Sequence, residues 1–256
     1  MRMRATVAAV SGALALSALA GPAAHAATAN PVISKVTVNG GKNIVLGTTV
    51  PKTVTVLVTA SHASGIAGGW LILWHGTSLE KGMDGALVPT QDATCKDASA
   101  TTATCSLTVT VDPRADLTKN ALAGSWHILA GVEAKDGSST SYDSYATTHV
   151  QRLSKLTVNA APEPVKKGRT ITVTGKLTRA NWETHAYAGY TVQPVKLQFR
   201  KKTSTAYTTV KTIKSSSTGA LKTTVTASVD GYWRYSFAGT STTPAVTTAG
   251  DFVDVR

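Results

Sequence analysis

Apolar and polar residues alternate along most of the chain, and this period of two residues predicts β-strands. Residues 53–60, for example, place Val54, Val56 and Val58 on one side of a strand. No segment carries a long apolar repeat of 3.6 residues, so helices are not expected. Gly, Pro, Asn-Gly and Asp-Gly steps separate the alternating segments at the spacing typical of a β-sandwich. The pattern therefore predicts an all-β fold.

A loose internal repeat indicates two domains. Gly124-Ser-Trp-His127 recurs 107 residues later as Gly231-Tyr-Trp-Arg234. About one hundred residues is the size of one immunoglobulin-type sandwich. We therefore place one sandwich at residues 27–150 and a second at 151–256, each large enough to hold its own core.

The first 26 residues have the pattern of a secretory signal peptide. Arg2 and Arg4 precede a small, apolar run over residues 5–20, and Ala-His-Ala at 24–26 suits signal peptidase. The run is shorter than the ~20 residues needed to cross a bilayer. We expect a mature chain without an integral membrane segment, secreted and either extracellular or loosely associated with the cell surface.

The two cysteines fit this compartment. Cys95 and Cys105 enclose nine mostly polar residues, a length that suits a hairpin. A metal site would need further Cys or His residues at short spacing, and none is nearby. Because exported proteins meet an oxidising environment, we predict a Cys95–Cys105 disulfide.

Charge is sparse and uneven. Charged residues make up 16% of the chain, against roughly 25% in an average domain, and the net charge is +12. Residues 27–150 hold 8 basic and 9 acidic residues, whereas residues 151–256 hold 16 basic and 5 acidic ones. Nearly all of the excess positive charge therefore belongs to the second domain.

Strand alternation predicts where some of these cations point. The side chains of Lys196 and Arg200 alternate with an apolar row, and Arg234 faces away from its aromatic neighbours. Lys201 and Lys202 continue the row into the next turn. A row of cations attracts polyanions and releases their counterions on binding. These five residues are our predicted polyanion-binding set, with an anionic envelope polymer as ligand and only non-specific attraction for nucleic acid. The alternative is a charged surface without a ligand.

An aromatic cluster lies between the first two predicted strands of the second domain. Trp182, His185, Tyr187 and Tyr190 fall within ten residues, although aromatic residues make up only 6% of the chain. Exposed rings can stack on sugars, so Trp182, Tyr187 and Tyr190 are predicted glycan-stacking residues. The alternative is that these rings cap the end of the sandwich or pack on the first domain.

Several segments resemble the immunoglobulin-like modules of secreted actinomycete proteins. The likeness rests on Thr170-Ile-Thr-Val-Thr-Gly-Lys-Leu-Thr178, Val195-Lys-Leu-Gln-Phe-Arg200 and Asp230-Gly-Tyr-Trp-Arg-Tyr-Ser-Phe-Ala-Gly239, and more loosely on residues 56–65 and 123–126. The resemblance implies tandem, non-catalytic sandwich modules, sometimes labelled calcium-binding. His62 departs from the aspartate often found at its position in such modules.

Motifs for catalysis are missing or incomplete. Ser78 and Lys81 have S-x-x-K spacing, but the S-D-N and K-T-G partners of that chemistry are absent. G-x-S-x-G, H-E-x-x-H, C-x-x-C and Walker-type motifs are also absent. We therefore expect neither an enzyme nor a cofactor or metal site. A calcium site remains an alternative, because several aspartates could converge in the first domain: Asp84, Asp92, Asp97, Asp136 and Asp143.

These observations predict two tandem immunoglobulin-like β-sandwich domains after a cleaved signal peptide. The function they favour is non-catalytic adhesion, with an anionic envelope polymer or glycan bound by the basic second domain. The alternative function is that of a calcium-stabilised structural module of the extracellular surface.

Overall fold

The computed structural model describes residues 29–256, so the predicted signal peptide lies outside the described residues. No helix in the described part of the chain is long and apolar enough to cross a membrane. The strands of the first half are β1 (Val32–Val38), β2 (Ile44–Leu46), β3 (Lys52–Ser61), β4 (Ile66–Gly76), β5 (Met83–Leu87), β6 (Thr94–Asp97), β7 (Thr102–Val111), β8 (Gly124–Ala134) and β9 (Ser139–Arg152). Those of the second half are β10 (Ser154–Leu156), β11 (Asn159–Ala161), β12 (Thr170–Asn181), β13 (Ala186–Gly189), β14 (Pro194–Lys201), β15 (Thr208–Lys214), β16 (Ala220–Thr226), β17 (Gly231–Phe237), β18 (Val246–Thr247) and β19 (Asp251–Val253).

Two sheets pack face to face in the first domain. One has the strand order β1-β3-β7-β6 and the other β2-β9-β8-β4-β5. Val56 and Val58 of β3 and Trp126 of β8 are fully buried in the same core. Alternate residues of a strand point to opposite faces, so the period of two in the sequence supplies the apolar inner faces of both sheets.

The disulfide lies in a hairpin of this sandwich. Cys95 of β6 is directly opposite Cys105 of β7, and the two sulfurs are bonded. Cys105 is buried between the sheets, as the inward row of β7 requires. The predicted Cys95–Cys105 disulfide is confirmed.

The second domain is a further sandwich. One sheet has the order β10-β12-β11, with β13 and β16 also paired to β12, and the other has the order β15-β14-β17-β18, with β19 paired to β17. The sheets meet around Tyr235, whose hydroxyl donates a hydrogen bond to the carbonyl of Val173 at 2.9 Å. A Cβ at Gly175 would lie 3.0 Å from the Tyr235 ring, so glycine allows this approach. The predicted fold class, all-β with two tandem β-sandwiches, is confirmed.

One side chain of the second domain lies in the core of the first. Trp182 follows β12 and is 0% exposed, packed within the cluster of apolar residues that fills the first sandwich. Its Nε1 donates a hydrogen bond to the carbonyl of Gly47 at 2.9 Å. The second sandwich thus completes the core of the first.

Polar contacts surround this tryptophan. The Asn120 side-chain amide donates to Asn181 Oδ1 at 2.8 Å, and its oxygen accepts the backbone N–H of Trp182 at 3.0 Å. Two residues before the tryptophan, the carbonyl of Ala180 accepts a hydrogen bond from Arg152 Nε at 2.6 Å. The predicted domain boundary after residue 150 falls inside β9, and Leu153 alone separates β9 from β10. A linker between the two sandwiches is therefore lacking.

We expect Trp182→Ala in the full chain to lower the free energy of unfolding by about 3–5 kcal/mol, because it deletes a fully buried ring from a packed core. Trp70→Ala is the matched control, since Trp70 is 39% exposed and should cost much less. Denaturant unfolding followed by circular dichroism measures both values. Equal losses in the two variants would contradict a structural role for Trp182 at the junction.

The stability of the second domain should fall at alkaline pH. Burial raises the pKa of Tyr235 from 10.0 to about 12, so the folded state keeps a proton that the unfolded state releases. This contribution is complete below pH 10 and is lost as the pH rises through 12. Unfolding free energies of wild type and Tyr235→Phe should therefore converge above pH 10. Tyr142→Phe, at an exposed site, serves as the control and should show no such convergence.

Candidate functional site: a cationic sheet face

The predicted polyanion-binding residues lie mainly on the outer face of the β14–β17 sheet. β14 pairs with β17 in antiparallel register, with Gln198 opposite Arg234 and Arg200 opposite Tyr232. Val195 and Leu197 of β14 are fully buried, so the intervening side chains point away from the core. The two strands that carry Lys196, Arg200 and Arg234 are therefore neighbours in one sheet.

Aromatic rings hold the two arginines of this face. The guanidinium carbon of Arg234 lies 3.6 Å from the ring centroid of Tyr207, and that of Arg200 lies 3.8 Å from the centroid of Tyr232. The rings of Tyr232 and Phe252 are 5.1 Å apart. We call these five residues, Tyr207, Arg234, Arg200, Tyr232 and Phe252, the arginine–aromatic row. Each stacked cation contributes about 0.5–1 kcal/mol at an exposed site.

Hydrogen bonds fix the guanidinium planes further. Arg234 Nε donates to Gln198 Oε1 at 2.8 Å, and Arg200 Nη1 donates to the carbonyl of Ser204 at 2.8 Å. Gly250 lies beneath the rings, and a Cβ there would collide with the hydroxyl of Tyr207 and the Cβ of Tyr232. Glycine at this position therefore allows the row to pack closely.

Sequence reasoning missed the three rings of the row. Tyr232 has the same strand parity as Arg234, so the alternation could have placed it on this face. Tyr207 lies in the turn before β15, and Phe252 lies on β19, which joins the sheet from the end of the chain. Neither position carries a local signal that points to the arginines.

Two acidic residues of the second domain have partners away from these cations. Asp251 Oδ2 accepts the backbone N–H of Ala160 at 2.6 Å, and Asp254 pairs with Arg256 at 2.9 Å. Among the described residues, no carboxylate oxygen lies within 4.0 Å of the charged nitrogens of the three face cations: Lys196, Arg200 and Arg234. The positive charge of this face is therefore not neutralised by ion pairs.

Lys201 and Lys202 lie at the end of this face. Lys201 is opposite Gly231, and Lys202 Nζ is 3.7 Å from Asp230 Oδ2 and 5.3 Å from the centre of the Phe252 ring. Both lysines line an open cavity of about 460 Å³ together with Lys167. The structure thus brings Lys196, Arg200 and Arg234 onto one face and puts Lys201 and Lys202 at its border.

The predicted aromatic stacking loop is wrong for two of its three rings. Trp182 has no exposed face, because its indole fills the core of the first domain. Tyr190 is 8% exposed and packs edge-on against Phe237. The alternative given by the sequence, packing on the first domain, describes Trp182 correctly.

Tyr187 is half-buried and also has a neighbour over its ring. Lys155 Nζ lies 3.7 Å from the ring centroid, and burial raises the pKa of the Tyr187 hydroxyl. A sugar could stack on Tyr187 only if it displaced the Lys155 side chain, since this amine covers the ring.

The aspartates considered for calcium do not converge. Asp84 pairs with His75, whereas Asp97 pairs with Lys135 at 3.3 Å. Hydrogen bonds from Ser138 lower the pKa of Asp136. Over residues 29–256, no group of three or more His, Cys, Asp or Glu side chains is placed to hold a metal ion.

His62 occupies the position at which the resemblance favours aspartate. It is buried, with one ring nitrogen bonded to the carbonyl of Ala29 and Nδ1 2.8 Å from Ser64 Oγ. The side chain therefore ties the start of the described chain to the first sandwich.

Comparison with solved structures gives distant matches. The fibronectin(III)-like modules of Clostridium thermocellum CbhA match with 9% identity and a TM-score of 0.33, covering 86% of this chain and 93% of that one. The Yersinia pseudotuberculosis adhesin InvE matches with 18% identity and a TM-score of 0.28, covering 88% of this chain and 58% of that one. Latent PorU of Porphyromonas gingivalis matches with 11% identity and a TM-score of 0.30, covering 89% of this chain and only 20% of PorU.

Sequence comparison gives one family. Curated proteins provide no significant match to this chain. Residues 48–132, which run from just before β3 into β8 of the first sandwich, are similar to DUF5707, a family of unknown function.

Proposed function

We propose that this protein is a non-catalytic, secreted adhesion protein that needs no cofactor and binds an anionic polymer of the cell envelope. The binding surface is the arginine–aromatic row together with Lys196, and Lys201 and Lys202 extend it at one end. The observation that carries the proposal is that Lys196, Arg200 and Arg234 share one face without a carboxylate partner among the described residues.

The chemistry of arginine supports an oxyanion ligand. A guanidinium is planar and can donate two parallel hydrogen bonds to a phosphate or carboxylate group. Because rings and hydrogen bonds already hold Arg200 and Arg234, less side-chain entropy is lost on binding. The pre-organised row is therefore suited to repeated anionic groups along a polymer.

The same stacking argues against recognition of nucleic-acid bases. Proteins that bind single strands stack successive bases on open aromatic faces. In the row, guanidinium groups cover Tyr207 and Tyr232 instead. Nucleic acid would then be attracted through its phosphates only and without sequence preference.

The charge balance of the two domains supports binding by the second one. The first domain is close to neutral, with 8 basic and 9 acidic residues over 27–150. Its disulfide suits an oxidising, extracellular setting. In this proposal the first sandwich supports and positions the second.

We expect the full-length Arg200→Gln/Arg234→Gln variant to bind long-chain inorganic polyphosphate roughly 30-fold more weakly, at about 1 kcal/mol per cation. The plot of log association constant against log salt concentration has a negative slope, and its magnitude should decrease by about 1.4–1.8 because two counterion-releasing contacts are lost. Titrations of the polymer at several salt concentrations measure both quantities.

Lys176→Gln/Lys222→Gln is the matched control, since it removes the same charge from exposed sites on the opposite sheet. It should retain most of the affinity and of the salt slope. If both double variants lose affinity equally, net charge alone governs binding and the proposed face is wrong. Arg200→Lys/Arg234→Lys keeps the charge but removes the planar guanidinium groups. Its affinity should lie between those of the wild type and the Arg200→Gln/Arg234→Gln variant.

A further inference from the structure

Two arginines lie close together at the domain junction. Arg152 ends β9 and is only 6% exposed, and Arg179 lies on β12 opposite Ser154. Residues 240–244 pass over both. The backbone N–H of Arg152 donates to the carbonyl of Thr242 at 3.0 Å, and Arg179 Nη1 donates to Thr243 Oγ1 at 3.3 Å. The same loop thus contacts the backbone of the buried Arg152 and the guanidinium of the half-buried Arg179.

Neither guanidinium has an acidic partner. Across the described residues, no carboxylate oxygen lies within 4.0 Å of Arg152 or Arg179. The acid that attracts Arg152 from nearby is Glu183, but its Oε1 accepts the backbone N–H of Asn120 at 2.9 Å. Burying a charge without a counter-charge is costly, so this arrangement is electrostatically incomplete.

The pKa shifts have the same physical origin. Burial, and then repulsion from Arg179, lower the pKa of Arg152 to about 10. Burial also lowers the pKa of Arg179, whose guanidinium carbon lies 3.9 Å from the Tyr190 ring. Both side chains keep their charge at neutral pH, and an anion between them would relieve the repulsion.

The junction offers donors for such an anion. Only Nε of the Arg152 guanidinium has a hydrogen-bond partner in the described residues, the carbonyl of Ala180. Its Nη atoms are not sealed from solvent, because no buried side-chain nitrogen of the described chain lacks a partner. The covering loop reads Thr-Ser-Thr-Thr-Pro and is rich in hydroxyl groups. Guanidinium and hydroxyl donors are the groups that bind oxyanions.

We propose that a small oxyanion, of the chemistry shared by phosphate, sulfate and carboxylate, binds between Arg152 and Arg179 at the junction. The site is separate from the arginine–aromatic row, so this proposal does not depend on the proposed function. Because the two arginines come from β9 and β12, the anion would bind only when both sandwiches are docked. Binding should therefore stabilise the folded full chain.

The test is thermal unfolding of the full chain at constant ionic strength, with chloride replaced stepwise by phosphate, sulfate or acetate. We expect Tm to rise and then saturate at millimolar concentrations of at least one anion. Arg179→Gln should abolish the saturating part, whereas Arg200→Gln/Arg234→Gln should retain it. Comparison of the three anions identifies the preferred class.

A second variant guards against a folding defect. Arg152→Met replaces the buried charge by an apolar chain of similar length but also removes the hydrogen bond to Ala180, so in chloride it should fold with a stability close to that of the wild type. It should also lose the saturating response. Phosphate and sulfate stabilise most proteins in a gradual, unsaturated way. If wild type, Arg179→Gln and Arg152→Met all respond in that way and to the same extent, the proposed site is wrong.

Discussion

Trp182 belongs to the second domain but is buried in the core of the first, and the rest of the structure depends on this interaction. It removes a large apolar surface from water and carries one hydrogen bond, from the indole to Gly47. Because the ring belongs to the second sandwich and its pocket to the first, the core of the first domain is incomplete without the second. The orientation of the cationic face relative to the first sandwich follows from this contact.

The sequence allowed correct prediction of features that depend on local periodicity. Alternation placed Val195 and Leu197 inside and Arg200 outside, because a strand turns each successive side chain to the other face. The same rule could not predict the burial of Trp182, whose hydrogen-bond partners Gly47 and Asn120 are 135 and 62 positions away in the chain. Aromatic residues in a turn look alike in sequence whether they meet solvent or a neighbouring domain.

The arginines of the second half show two opposite uses of one side chain. Arg200 and Arg234 lie on tyrosine rings at the surface, where solvent and salt reach them and a polymer can approach. Arg152 and Arg179 lie at the junction, where burial lowers the pKa of each group. Composition counts these four residues equally, but their surroundings decide whether the charge faces a partner or the protein interior. Net charge therefore predicted the character of the domain and not the position of its sites.

The passage from β9 to β10 through Leu153 has a mechanical consequence. The backbone N–H of Leu153 donates to the carbonyl of Leu46 at 2.8 Å, so even this connecting residue is bonded to the first sandwich. A pulling force on a second domain bound to a surface would find no flexible linker to extend at this point. The load would pass directly into the β2–β9 and β8–β9 ladders, and the molecule would act as a stiff strut of fixed length.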